Sequence, residues 1–263
     1  MQRTRRTDLH RIRSNVASFR FHGALHDFLK PEVADAVVDY PFDGHPSVKD
    51  AIEAQGVPHT EVDAIDVNER PVGFDYLLAD GDRVSVSAHD RKRSPSALLR
   101  PPITTMRFVV DVNLGKLARW LRLLGFDTVY ETSAHDADIA RLAANEDRVV
   151  LTRDRRLLRQ RVITWGYWVR SDDPDEQVRE VVTRFELRDS VRPYSRCLKC
   201  NGLLCRVDKA TVLDRLLPKT RRYYEDFVQC VSCGKVYWQG PHVARLAGRI
   251  EKWQSWLADQ SNR

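Results

Sequence analysis

The chain has 263 residues, 42% of them hydrophobic and 30% charged, with a net charge of +6 and a mean hydropathy of −0.48. That length supports two or three compact domains, and no stretch approaches the ~18 consecutive apolar residues of a membrane span. The first twenty residues carry Arg3, Arg5, Arg6, Arg11 and Arg13 and no apolar run of signal-peptide length, so a soluble cytoplasmic protein without membrane association is expected.

Charge is divided unevenly along the chain. Residues 15–90 hold 5 Lys or Arg against 15 Asp or Glu, a balance of −10, which leaves +16 for the remainder. The split implies a polyanion-binding part joined to an acidic module that docks a protein partner or folds back over the basic part. Its plainer explanation is two differently solvated surfaces.

Residues 1–14 read as a basic tail. Ala17, Phe19 and Phe21 then alternate as a strand, residues 36–40 form a second one, and Ser47 opens a helix in which Val48, Ala51 and Ile52 recur until Gly56 stops it. Short strands around Ile65 and Val72, the turn Asp80-Gly81-Asp82 and a last strand through Val84, Val86 and Ala88 close the module near residue 90. This order resembles the ubiquitin-like β-grasp fold of the sulfur-carrier type, an α+β domain. Carriers end in an activated Gly-Gly tail, whereas here Ala88 runs into His89-Asp90-Arg91. The departure shifts the implied role from sulfur chemistry to binding or covering. Residues 91–105, rich in Arg, Ser and Pro, read as a linker.

Strands and helices alternate through residues 106–192. Strands are predicted at 107–110, 126–130, 149–151 and 163–169. Helices carry Leu114, Leu117, Ala118, Leu121 and Leu124, then Ile139, Leu142 and Ala143, then a short piece at Leu157 and Leu158, then Val178, Val181, Val182 and Phe185 after Pro174. This is a parallel three-layer α/β/α plan, whose sites form at the carboxyl ends of the strands.

Those ends carry Asp111, Asp136, Asp138 and Asp154, and the last crossover adds Asp172 and Asp173. Carboxylates gathered at one sheet edge hold Mg²⁺ or Mn²⁺, which activates water against a phosphodiester. Each aspartate also has a plain role as a helix cap. For Asp173, followed by Pro174 and Glu176, capping is the favoured reading. Asp136 and Asp138 point in different directions on a helix, so one of them, Asp136 by preference, faces a metal. Lys116, Arg119 and Arg122 form a basic stripe on the first helix, and Arg153 and Arg155 flank Asp154; both groups suit phosphate, or simply a solvated surface.

Residues 193–242 contain two CxxC pairs, Cys197 with Cys200 and Cys230 with Cys233, the spacing of a closed structural zinc site. Gly202 and Gly234 supply turns beside the sulfurs, and Cys205 is expected to be a buried free thiol. Lys219, Arg221, Arg222 and Lys235 interleave with Tyr223, Tyr224, Tyr237 and Trp238, a mixture that suits unpaired RNA; Tyr237 and Trp238 serve equally well as packing for a thin core. Val243, Leu246, Ile250, Trp253 and Leu257 predict a final helix over 243–263 that docks on the chain or on a partner.

The run from Asp111 to Gly125 (DVNLGKLARWLRLLG), the Leu151-Thr152-Arg153-Asp154 segment and the double CxxC ending in Val236 to His242 (VYWQGPH) closely resemble prokaryotic proteins related to the C-terminal domain of the mut-7 exonuclease. The resemblance covers about residues 106–245. It implies a PIN-like ribonuclease domain with an appended zinc ribbon, preceded in some members by a ubiquitin-like domain. It further implies a divalent-metal nuclease whose acidic residues map onto Asp111, Asp136 and Asp154, with a fourth at Asp172 or Asp173. Three functional readings follow from the sequence: a metal-dependent ribonuclease, the same chemistry on DNA, and a non-catalytic RNA-binding adaptor.

Overall fold

The computed structural model describes residues 14–33, 36–89 and 99–259; the arginines of the expected basic tail and residues 91–98 of the expected linker lie outside them. The chain divides into two compact units, Met1–Pro102 and Ile103–Arg263. No helix among the described residues is long and apolar enough to cross a membrane.

In the first unit, β1 (Asn15–His22) alternates so that Ala17, Phe19 and Phe21 point into the core, and β5 (Arg83–Ser87) buries Val84 and Val86 likewise. These two strands pair in parallel at the centre of a five-stranded sheet. β2 (Val38–Phe42) flanks β1, while β3 (Ala64–Val67) and β4 (Arg70–Pro71) extend the other side, all antiparallel. Helix α1 (Val48–Ala54) starts where the Ser47 side chain accepts the Asp50 amide, and it buries Val48, Ala51 and Ile52 completely. This mixed sheet with a helix packed on it is the arrangement of a ubiquitin-like domain.

Arg100, inside the segment expected to be a linker, has a buried side chain. Its Nη1 donates to the Thr60 carbonyl at 3.0 Å and its Nη2 lies 3.3 Å from Asp63 Oδ1. A guanidinium is tolerated there because carbonyls and a carboxylate replace its lost water. Pro and Arg content marked these residues as solvated, and only the fold supplies the acceptors that bury one of them.

The second unit is built on a parallel sheet of order β7-β6-β8-β9, comprising β6 (Arg107–Val110), β7 (Asp127–Val129), β8 (Val149–Thr152) and β9 (Gly166–Trp168). All four residues of β8 are buried, as expected of a central strand covered on both faces. On one face α2 (Gly115–Leu123) contributes Leu117 and Leu121, packed with Val178 and Val181 of α4 (Pro174–Arg184). On the other, α3 (Asp136–Glu146) contributes Ile139, Ala140 and Ala143. Two expectations change here. The helix foreseen at Leu157 and Leu158 is a 3-10 turn, Leu157–Arg159, and Ile163, foreseen in the fourth strand, precedes it and anchors the α3-side core with those leucines.

A three-stranded antiparallel ribbon follows, β10 (Leu204–Val207), β11 (Phe227–Cys230) and β12 (Val236–Trp238), with short helices α5 (Lys209–Val212) and α6 (Pro218–Tyr223) between its first two strands. Helix α7 (Pro241–Asp259) returns to the α2-side core, where Ile250 and Trp253 are buried and the Trp253 ring meets Trp120 edge-on at 6.0 Å. Arg249 lies over Trp120 and pairs with Asp175 at 2.6 Å. The final helix therefore docks on its own unit; the side chains of His242 and Leu257 lie outside the described residues.

Candidate metal centres and nucleic-acid surface

Cys197 and Cys200 occupy a knuckle before β10, Cys230 ends β11 and Cys233 lies in the turn before β12. One sulfur from each falls within 4.8 Å of every other, and no other group of three or more ligand-type side chains among the described residues is so compact. The separations of 3.7 Å for Cys197–Cys233 and 3.4 Å for Cys200–Cys230 approach the ~3.8 Å edge of a tetrahedron with metal–sulfur bonds of about 2.3 Å. Four cysteines are thus close enough to bind a metal such as zinc. Gly202 is required sterically, because a Cβ there would meet Ser232 Oγ at 2.5 Å and Cys230 Sγ at 2.8 Å. Gly234 turns with φ +70°, a conformation that favours glycine.

The Tyr237 hydroxyl donates to Cys197 Sγ at 3.1 Å. Burial works against the Cys197 thiolate, but this bond and the Cys200 and Lys199 amides outweigh it and lower its pKa to about 6. Burial, aided by the adjoining sulfurs, pushes Cys200 up to about 12. Neighbouring thiols part in this way because each disfavours a second negative charge beside it. Cys205 departs from expectation: it is exposed on β10, since the ribbon is too thin to bury both faces of that strand.

The knuckle is stapled to the edge of the parallel sheet. Asn201, at φ +70°, donates through Nδ2 to Asp127 Oδ1 at 2.8 Å and accepts the Thr128 amide at 2.9 Å. Asp127 also receives Arg148 at 2.7 Å and approaches Arg196 at 3.4 Å. Burial disfavours the Asp127 carboxylate, yet the bonds from Arg148 and Asn201 dominate and hold its pKa below the usual aspartate value. Arg122 belongs to this staple and not to a phosphate-binding stripe. It is 6% exposed, and it donates to the Thr128, Leu198 and Lys199 carbonyls at 2.9, 3.3 and 3.0 Å. A period of three along the helix cannot distinguish an exposed cation from one that rotates into a neighbouring loop.

Asp111 lies just beyond β6 and is 4% exposed. Its Oδ1 accepts the Val112 amide at 2.6 Å and its Oδ2 accepts the Thr152 hydroxyl at 2.6 Å. Thr152 Oγ1 in turn accepts the Asp154 amide at 2.8 Å, so one buried hydroxyl joins the ends of β6 and β8. Asp111 has no ion-pair partner among the described residues. The turn after it is closed by Tyr130, whose hydroxyl donates to the Val112 carbonyl at 3.0 Å over Gly115; a Cβ on Gly115 would meet that hydroxyl at 2.7 Å.

The other acids differ in their engagements. Asp154 is exposed and accepts the Arg156 amide at 2.7 Å. Asp136 and Asp138 lie in the first turn of α3; Asp136 is exposed and Asp138 pairs with Arg141, while the cap position is His135. Asp172 is exposed and pairs with Arg153. Asp173 caps α4, accepting the Asp175 and Glu176 amides at 2.8 and 3.0 Å, and these bonds lower its pKa. Glu176 turns to Arg179 instead of completing a reciprocal box. Asp111, Asp136 and Asp154 do not approach one another as closely as the thiols do.

Lys116 and Arg119 are exposed on α2. In the ribbon, Arg221, Arg222 and Tyr223 are exposed, whereas Trp238 packs on Tyr224 and Phe227. A cleft of about 800 Å³ opens between ribbon and α7, lined by Leu198, Arg206, Lys209, Tyr237, Trp238 and Leu246 among others. Thr152, Asp127 and Asn201 carry no motif that marks these roles in the sequence. An asparagine directly after a CxxC was the available signal for a left-handed turn.

Residues 106–250 match the family described as the Mut7-C RNAse domain, and residues 14–93 match the Mut7-C ubiquitin domain. No curated protein and no solved structure matches the chain. The family match spans more than half of the chain and follows the ubiquitin-like unit in the same order as the two folded units, and the chain therefore belongs to the Mut7-C RNAse domain family.

Proposed function

We propose that this protein is a divalent-metal-dependent ribonuclease, with Asp111, Asp154 and Asp136 as its acidic residues and with zinc held structurally by Cys197, Cys200, Cys230 and Cys233. The observation that carries the reading is Asp111: a buried carboxylate at the carboxyl end of a parallel strand, holding two hydrogen bonds but no ion pair among the described residues, where a bound cation would offset the remaining cost of its charge. Oxygen donors of this kind suit Mg²⁺ or Mn²⁺, and Mg²⁺ keeps several waters, so carboxylates need not meet as closely as thiolates. When bound, such an ion acidifies the attacking water and offsets the charge that builds on the phosphodiester.

Within this reading Thr152 orients Asp111 and fixes the backbone at Asp154. Lys116 and Arg119 hold phosphates, and the cleft beside Tyr237 and Trp238 lets the ribbon present the strand. Incubation of the full chain with labelled single-stranded RNA and DNA, with and without added Mn²⁺, tests it. RNA cleavage that needs Mn²⁺ and vanishes in Asp111→Asn and Asp154→Asn is expected. Preferential DNA cleavage would move the substrate, and RNA binding without cleavage would leave an adaptor.

A further inference from the structure

Trp168 ends β9 as the register partner of Thr152, the residue whose hydroxyl holds Asp111. Its indole Nε1 donates to the Arg153 carbonyl at 3.2 Å, which fixes the ring to the backbone immediately before Asp154. Immediately after Asp154, the Arg155 guanidinium carbon stands 3.9 Å from the centre of the same ring, close enough for face-to-face stacking. Arg170 approaches that ring at 5.2 Å. Trp168 packs in part against the α3-side core, and both it and Arg155 are only partly buried.

From this geometry we propose that Trp168 and Arg155 form a stacking seat for one unpaired nucleobase, that of a nucleotide flanking the phosphate bound beside Asp154. The inference rests on the nuclease reading of this edge and deepens it by naming the substrate class as single-stranded. A planar cation fixed on an indole offers a face that any base can stack on. Bases inside a duplex already have both faces covered, so the seat selects for single strands while tolerating sequence. It also gives Arg155 a different task from the phosphate fork expected of it, because a guanidinium laid on a ring is oriented by the ring before substrate arrives.

The test uses the full chain carrying Asp111→Asn, so that bound RNA stays intact, and a labelled single-stranded 12-nucleotide RNA in which an abasic site is walked through every position. One abasic position should weaken binding about tenfold. Trp168→Ala and, separately, Arg155→Ala should weaken binding of the intact RNA by a similar factor, and neither loss should add to that of the abasic site. Trp168→Phe, which keeps an aromatic face and the local packing, should retain most of the binding. Additive losses, unchanged binding of intact RNA by both alanine variants, or no RNA binding at all would overturn the seat. Cleavage by the unaltered chain reads the other assignment separately. Cleavage with additive losses removes the seat and keeps the enzyme, whereas non-additive losses without cleavage keep the seat and remove the enzyme.

Discussion

The four thiols of the ribbon are gathered by two tight knuckles, whereas the aspartates at the edge of the parallel sheet are placed only by the strands and helix starts that carry them. In the first region each ligand pair is local, and Gly202 leaves the sulfurs no room for an added methyl group. In the second, Asp111 and Asp154 are 43 residues apart, and the Thr152 hydroxyl bonds the carboxylate of the first and the main-chain amide of the second. The thiol cage is organised by local turns. The carboxylate edge depends on β6 and β8 keeping their register.

The largest effect is expected at the cage. Cys197→Ser or Cys230→Ser removes a buried thiol of the cage, and structural zinc sites contribute apparent free energies of about 10–16 kcal/mol in peptide systems. Loss of the bound metal and collapse of the ribbon are expected, read as metal content per chain and as a lost thermal transition. At the carboxylate edge, Asp111→Asn should leave metal content in the cage and melting behaviour intact while lowering RNA cleavage by about 100-fold or more. Retained cleavage would remove Asp111 from the site.

Between the two regions lies the Asn201–Asp127 staple. Asp127→Asn should cost about 2 kcal/mol, the scale of a hydrogen bond to a charged partner, in chemical denaturation. Because its pKa is lowered on folding, the Asp127 carboxylate contributes stability above its unfolded value of about 3.9, and that stability is lost as pH falls through the folded value. The acid limb of the unaltered chain should therefore be steeper below about pH 4 than that of Asp127→Asn. Thr152→Val keeps shape and removes only the hydroxyl; its expected cost is roughly 10- to 100-fold in divalent-ion affinity, with Thr152→Ser recovering most of it. Cys205→Ser, exposed and outside the cage, should change stability by no more than about 0.5 kcal/mol.

Both folds were legible because their signals are periodic. Alternation in β1 and β5 and helical spacing in α2 and α4 each mark a buried face directly. The cage was legible because CxxC spacing is itself the geometry. Arg122 and Arg100 were not, since a charged side chain reads as solvated until the carbonyls that satisfy it are folded around it. Thr152 was hidden for a related reason: a threonine at a strand end looks like ordinary β-propensity, and its role exists only through two partners from elsewhere in the backbone. Cys205 failed in the opposite direction, because apolar neighbours predicted burial where the ribbon has no second layer to provide it.

Calorimetric titration of Mn²⁺ into the metal-loaded full chain, and into its Asp111→Asn and Asp154→Asn variants, tests the shared-ion claim most directly. The account predicts one saturable site in the unaltered chain that is lost in both variants while cysteine-bound metal stays constant. Equal Mn²⁺ affinity in all three proteins, or no saturable site in any, would contradict it.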